Sequence, residues 1–182
     1  MGRRAVPKEE DPCHKSRRAD TIGGGDGISL GQELEKAKGY GEIFTLVKRS
    51  VKKSLSQHRV GLMLLLGNLP LRVGAFHPMG TNEIVLNRKL FEDRSSLNWN
   101  SQVFAILLHE YLHTLGYTDE RQVKHMTYRV CTENFGRQSP VAEAAVKGPW
   151  MNLTEEAFIE IEQDLNLELV RDFERFDSSY II

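Results

Sequence analysis

The run His109-Glu110-Tyr111-Leu112-His113 carries the residue types and the spacing of a metal-dependent hydrolytic site. Residues four apart on a helix point the same way, so both imidazoles can reach one metal ion, while Glu110, one position along, flanks it. Two neutral imidazole nitrogens and a third ligand leave one position of a zinc ion open to water, whose pKa falls to about 7. A neighbouring carboxylate can then take the proton as the water attacks a carbonyl. The run therefore predicts a zinc-dependent hydrolase acting on a carbonyl group, with His109 and His113 as ligands and Glu110 as general base.

The elements needed to hold these groups follow from local pattern. From Gln102 to Leu115 the chain is apolar nearly all round, with Val103, Phe104, Ile106, Leu107, Leu108, Leu112 and Leu115, which predicts a central buried helix ended by Gly116. Two histidines and a glutamate in such a helix are costly to bury unless they bind something. A second helix is predicted from about Asp119 to Asn134, and Gln138-Ser139-Pro140 marks a break before a short segment ending at Pro149. Upstream, Ile43, Phe44, Val47, Val51 and Leu55 recur at helical spacing within Glu42 to Gln57, with a basic opposite face. Three strand-like runs follow, Val60 to Leu66, Leu71 to His77 and Glu83 to Arg88. The turn residues between them, Gly67-Asn68 and Pro78-Met79-Gly80, predict hairpins. The expected fold class is α+β, a small antiparallel three-stranded sheet packed against the central helix with flanking helices. Glu83 to Asn87 is the expected edge along which an extended substrate would pair.

The stretch from about Leu62 to Arg129 resembles the zincin metallopeptidases, whose sites combine an edge strand, an H-E-x-x-H helix and a third ligand downstream. Its element order looks most like the small soluble minimal gluzincins. The spacing from the second histidine to Gly116 is in turn similar to the metzincins. This resemblance implies two choices for the third ligand. Asp119 stands three residues after Gly116, where the metzincin pattern places it; Glu120, at the start of the next helix, is the gluzincin-like choice. Each has an ordinary alternative role, Asp119 as N-cap with Gln122 completing a capping box, and Glu120 as first-turn dipole compensation. Glu133, Glu143 and His125 remain outside that pair. Tyr117, His125 and Tyr128 are candidates to stabilise an oxyanion, and Met126 reads as a packed methionine. Two other functions compete with peptide hydrolysis. A family of ribosome-associated endoribonucleases has a comparable H-x-x-x-H-x-x-G spacing, but with a third histidine where Asp119 stands here. The third reading is a non-catalytic module whose zinc is structural.

Length and composition bound the rest. The 182 residues suit one ordinary domain, and 40% apolar with 27% charged residues is globular composition. A net charge of -1 gives no drive toward nucleic acid or an anionic membrane, yet residues 1–60 carry 13 Lys/Arg against 8 Asp/Glu while residues 151–182 carry 2 against 9. Arg3 and Arg4 have no apolar stretch behind them, and no run approaches the roughly 18 apolar residues of a membrane span, so a cytoplasmic protein is expected. Cys13 and Cys131 do not make a disulfide framework. Residues 1–31 read as a flexible tail, 32–150 as the catalytic domain, and 151–182 as an acidic C-terminal helix and tail. That helix is expected from Thr154 to Phe176, with Phe158, Ile161, Leu165, Leu169, Phe173 and Phe176 in a stripe. The apolar end, Tyr180-Ile181-Ile182, is expected to be covered by the active-site cleft, by a homodimer interface or by the back of the sheet.

Overall fold

The computed structural model describes residues 29–96, 98–148 and 165–174. Ser29 opens the first helix, α1 (Leu30–Lys36), with a full capping box to Gln32, so this helix starts within the stretch 1–31 expected as a tail. Helix α2 (Tyr40–Leu55) follows, then strands β1 (Met63–Gly67), β2 (Ala75–Phe76) and β3 (Glu83–Asn87). A 3-10 turn at Arg88–Leu90 leads to α3 (Trp99–Thr114), α4 (Glu120–Phe135), α5 (Pro140–Lys147) and a last short strand, β4 (Glu168–Leu169). Among the described residues, five helices and a small sheet bear out the α+β class, with the motif helix α3 at the centre.

Helix α3 is buried along most of its surface. Val103, Phe104, Leu107, Leu108, Tyr111 and Leu112 are fully buried, each large side chain contributing about 1.5–3 kcal/mol relative to exposure. Tyr111 meets Phe44 of α2 edge-on at 5.4 Å, and its hydroxyl both accepts from Arg59 N and donates to Arg59 O, which ties α3 to the start of the sheet. Asn100, in the first turn of α3, donates to the Leu34 and Ala37 carbonyls at the end of α1.

The sheet differs from the expected three-stranded antiparallel one. It has four strands in the order β2-β3-β1-β4 and is mixed: β1 and β3 run parallel, with Leu65 opposite Val85. The β2–β3 hairpin forms as the turn residues predicted, but β1 and β2 are not paired. The physical reason lies in Pro70, which has no N–H to donate, and in the buried Asn87. Its side-chain amide donates to the Leu69, Pro70 and Val73 carbonyls, so the β1–β2 connection crosses β3 and delivers β2 to the far side. Glu83 to Asn87 is consequently an inner strand, and among the described residues the sheet edge beside α3 belongs to β2.

The C-terminal segment is a second correction. Residues 165–174 are strand and turn, and Leu165 and Leu169 of the expected stripe are about half exposed. This part of the expected acidic helix belongs to the main sheet, since β4 pairs with Leu65 and Leu66 of β1. Residues 149–164 and 175–182, which hold the remainder of that helix and the Tyr180-Ile181-Ile182 end, lie outside the described residues. Past β4, Phe173 stacks on Phe44 at 4.3 Å, and the Glu174 carboxylate accepts from Leu62 N and pairs with Lys48. Phe173→Ala is expected to lower stability by about 3–5 kcal/mol, read as a reduced midpoint in chemical denaturation, because it opens a cavity over α2. Cys131 is buried and free, and burial pushes its thiol up to about 12, which leaves it unreactive. Cys13 and the glycine run at 23–27 fall outside the described residues.

Candidate metal centre

His109 and His113 project from one face of α3, one helical turn apart, with their rings 5.0 Å between centroids. The end of the helix fixes how the second ring is used. Gly116 has φ 97°, its N–H bonds the His113 carbonyl at 3.0 Å, and Tyr117 N bonds the Leu112 carbonyl at 3.3 Å. These two bonds form a Schellman termination, which requires a residue tolerant of positive φ where Gly116 stands. The turn folds the Tyr117 carbonyl back to within 2.8 Å of His113 Nδ1. A carbonyl can only accept, so Nδ1 carries a proton and Nε2 is left as the ring's ligating nitrogen.

That nitrogen faces the other two ligand groups. His113 Nε2 lies 3.3 Å from His109 Nε2 and 3.1 Å from one Glu120 oxygen, and His109 Nε2 lies 3.4 Å from the other. Two ligand atoms each about 2.05 Å from a tetrahedral ion are about 3.3 Å apart, so the spacing suits a single small cation. Burial holds His109 below its ordinary pKa, with Glu120 opposing and His113 and Lys124 adding to the depression, which favours the neutral, ligating ring. His109, His113 and Glu120 thus form a cluster positioned to hold a metal ion.

The two acids proposed as third ligand are separated by one residue and by role. Glu120 is the first residue of α4 and turns toward the histidines, whereas the Asp119 side chain accepts from Gln122 N at 2.7 Å and caps the helix. Asp119→Ala is expected to cost about 1 kcal/mol of stability while leaving metal affinity unchanged, a result that paired melting and metal titration would check. Of the remaining acids, Glu133 pairs with Arg129 and Glu143 with Lys147, both on exposed helix faces.

Glu110 is 4% exposed and stands beside the cluster. Burial, helped by the negative charge of Glu120, pushes its carboxyl up to about 8, against a hydrogen bond from the His77 backbone amide. A dication bound next to it would act in the opposite sense and restore the carboxylate. His77 itself is fixed by Nδ1 against the Glu83 carbonyl at 2.7 Å.

The centre opens on both sides. A cavity of about 600 Å³ lies between β2, α3, α4 and α5, and a second of about 420 Å³ lies toward Phe76, Met79 and Tyr117; Ala75, Glu110 and Glu120 border both. Together they make a cleft along β2 with the cluster at its middle. Among the oxyanion candidates, His125 and Tyr128 face the larger cavity, while the Tyr117 hydroxyl donates to Gln57 Oε1 at 2.9 Å. Met126 packs partly buried against the core within α4. Sequence reasoning did not single out Gln102 or the small residues of α5, which wall the larger cavity. The available signal was that Gln102, Ile106 and His109 repeat at helical spacing on one face. Among the described residues no helix is long and apolar enough to cross a membrane. Comparison with protein-family models, curated proteins and solved structures finds no match to this chain.

Proposed function

We propose that this protein is a zinc-dependent hydrolase that cleaves peptide bonds in the manner of the metallopeptidases its motif resembles. The observation that carries the reading is the meeting of two imidazole nitrogens and a carboxylate, 3.1 to 3.4 Å apart, beside the buried carboxyl of Glu110 in an open cleft. His109, His113 and Glu120 would hold the metal, an assignment supported by the nitrogen and oxygen donors that zinc accepts. Bound there, zinc supplies a Lewis acid and a water of lowered pKa.

The chain's own groups do the rest. Glu110 takes a proton from the attacking water and can pass it to the leaving amine, the reason for keeping a carboxyl within the cleft wall and away from bulk solvent. The outer edge of β2 has no strand partner among the described residues, which supports main-chain pairing with an extended peptide. The carboxylate third ligand also separates the site from the three-histidine pattern of the endoribonucleases. The protein purified without chelator is expected to hold about one zinc per chain and to cleave an unbiased peptide mixture, with cleavage abolished by chelation and restored by zinc. A metal-replete protein that leaves every peptide intact would defeat the peptidase reading.

A further inference from the structure

The larger cavity has apolar walls and one polar group set into them. Ile106, Ala105, Ala144 and Ala145 supply the walls, the alanines of α5 leaving the space that larger side chains would fill. Gln102 also faces the cavity, is 7% exposed, and its carboxamide has no hydrogen-bond partner among the described residues. The carboxamide makes no protein hydrogen bond and its polar atoms are not sealed from solvent, so it can exchange water for a polar group of a ligand in the cavity. Its place two turns before His109 sets it on the cleft face of α3, at a distance from the metal that a substrate side chain can span.

Charge decides which ligand. Arg72 and Lys124 border the same cavity, both exposed and without an acidic partner among the described residues. Lys147 is held by Glu143 at 2.5 Å, and His125 stands on the α4 side. Glu110 and Glu120 also line the cavity, beside His109, where a bound dication would offset them. We infer that this cavity is a subsite for a carboxylate-bearing residue of the substrate, its methylenes against the alanine wall and its carboxylate between the Gln102 amide and the two free cations. The inference rests on the peptidase reading and adds the substrate class. The carboxylate belongs either to an acidic side chain or to a free peptide C-terminus.

Binding, separate from turnover, tests it. Zinc-loaded Glu110→Gln protein is titrated with acetylated, amidated alanine peptides carrying Glu, Gln, Leu or Lys at the centre, and with an all-alanine peptide ending in a free carboxylate. The Glu peptide should bind about tenfold tighter than the Leu peptide, the ratio expected for one hydrogen bond to a charged group, and tighter still than Lys. Gln102→Leu should erase the difference. Gln102→Glu, which keeps the shape and the helix, should turn the preference toward Lys, as should the pair Arg72→Glu and Lys124→Glu. Preference for the all-alanine acid over its amide assigns the subsite to a chain end; preference for Glu alone assigns it to a side chain. Equal binding of Glu and Leu peptides, or no binding of either, overturns the proposal. Cleavage of peptides by the wild-type protein without any such preference would refute the subsite and leave the peptidase reading standing.

Discussion

Glu110→Gln protein is expected to retain a full equivalent of zinc while losing about 10²- to 10⁴-fold of its peptide hydrolysis, the range over which a positioned general base contributes. The two halves of this result depend on different atoms. The metal is expected on His109 Nε2, His113 Nε2 and Glu120, none of which the substitution alters, and glutamine fills nearly the same volume, so the wall of the cleft stays packed. The carboxamide can still accept the His77 amide hydrogen bond, but it cannot accept a proton from water at neutral pH. Without zinc, burial and the charge of Glu120 keep Glu110 protonated up to about pH 8, so the metal-free wild type is expected to be inactive for a second reason besides the missing metal. Metal content by elemental analysis and turnover of the same preparation check both halves. Undiminished turnover would remove Glu110 from the chemistry; lost zinc would show that the substitution disturbs the site itself.

How much of this was legible in the sequence depends on the range of the forces involved. The motif helix was readable because its apolar residues, its glycine stop and its two histidines act within a few residues of one another, and Gly116 does end α3 with positive φ. The sheet was not. Residues 60–88 hold three strand-like runs, but which runs pair depends on Asn87 gripping three carbonyls of the β1–β2 connection and on β4 arriving from a hundred residues later. Neither is a local signal. The C-terminal segment misled for a related reason, since Leu165, Leu169 and Phe173 repeat at helical spacing, yet Phe173 is fixed by stacking on Phe44 and Leu169 by pairing with β1. The third ligand stayed open between Asp119 and Glu120 because capping and ligation call for the same carboxylate. The choice is made by direction: the N-cap side chain must turn back to its own helix, which frees the next residue to face α3.

That choice gives the second large effect, complete loss of tight metal binding from either His113→Ala or Glu120→Ala. A catalytic zinc site keeps three protein ligands, and removing one leaves two, too few to hold the ion against a chelator. His113 carries a further cost, because its Nδ1 bond to the Tyr117 carbonyl orients the ring, and partners of this kind alter metal affinity by about 10- to 100-fold by themselves. Glu120 provides the cleaner test. It is 62% exposed at its side chain and belongs to no core cluster, so Glu120→Ala should leave the metal-free fold as stable as the wild type. Zinc added at a hundred times its dissociation constant stabilises the wild type by about 2.7 kcal/mol, and the Glu120→Ala protein should show none of that gain at the same concentration. Thermal melts with and without zinc, alongside competition with a chromogenic chelator, measure both quantities. If Glu120→Ala keeps the wild-type affinity and Asp119→Ala loses it, the ligand is the capping residue, and α4 must lose its N-cap whenever the metal binds.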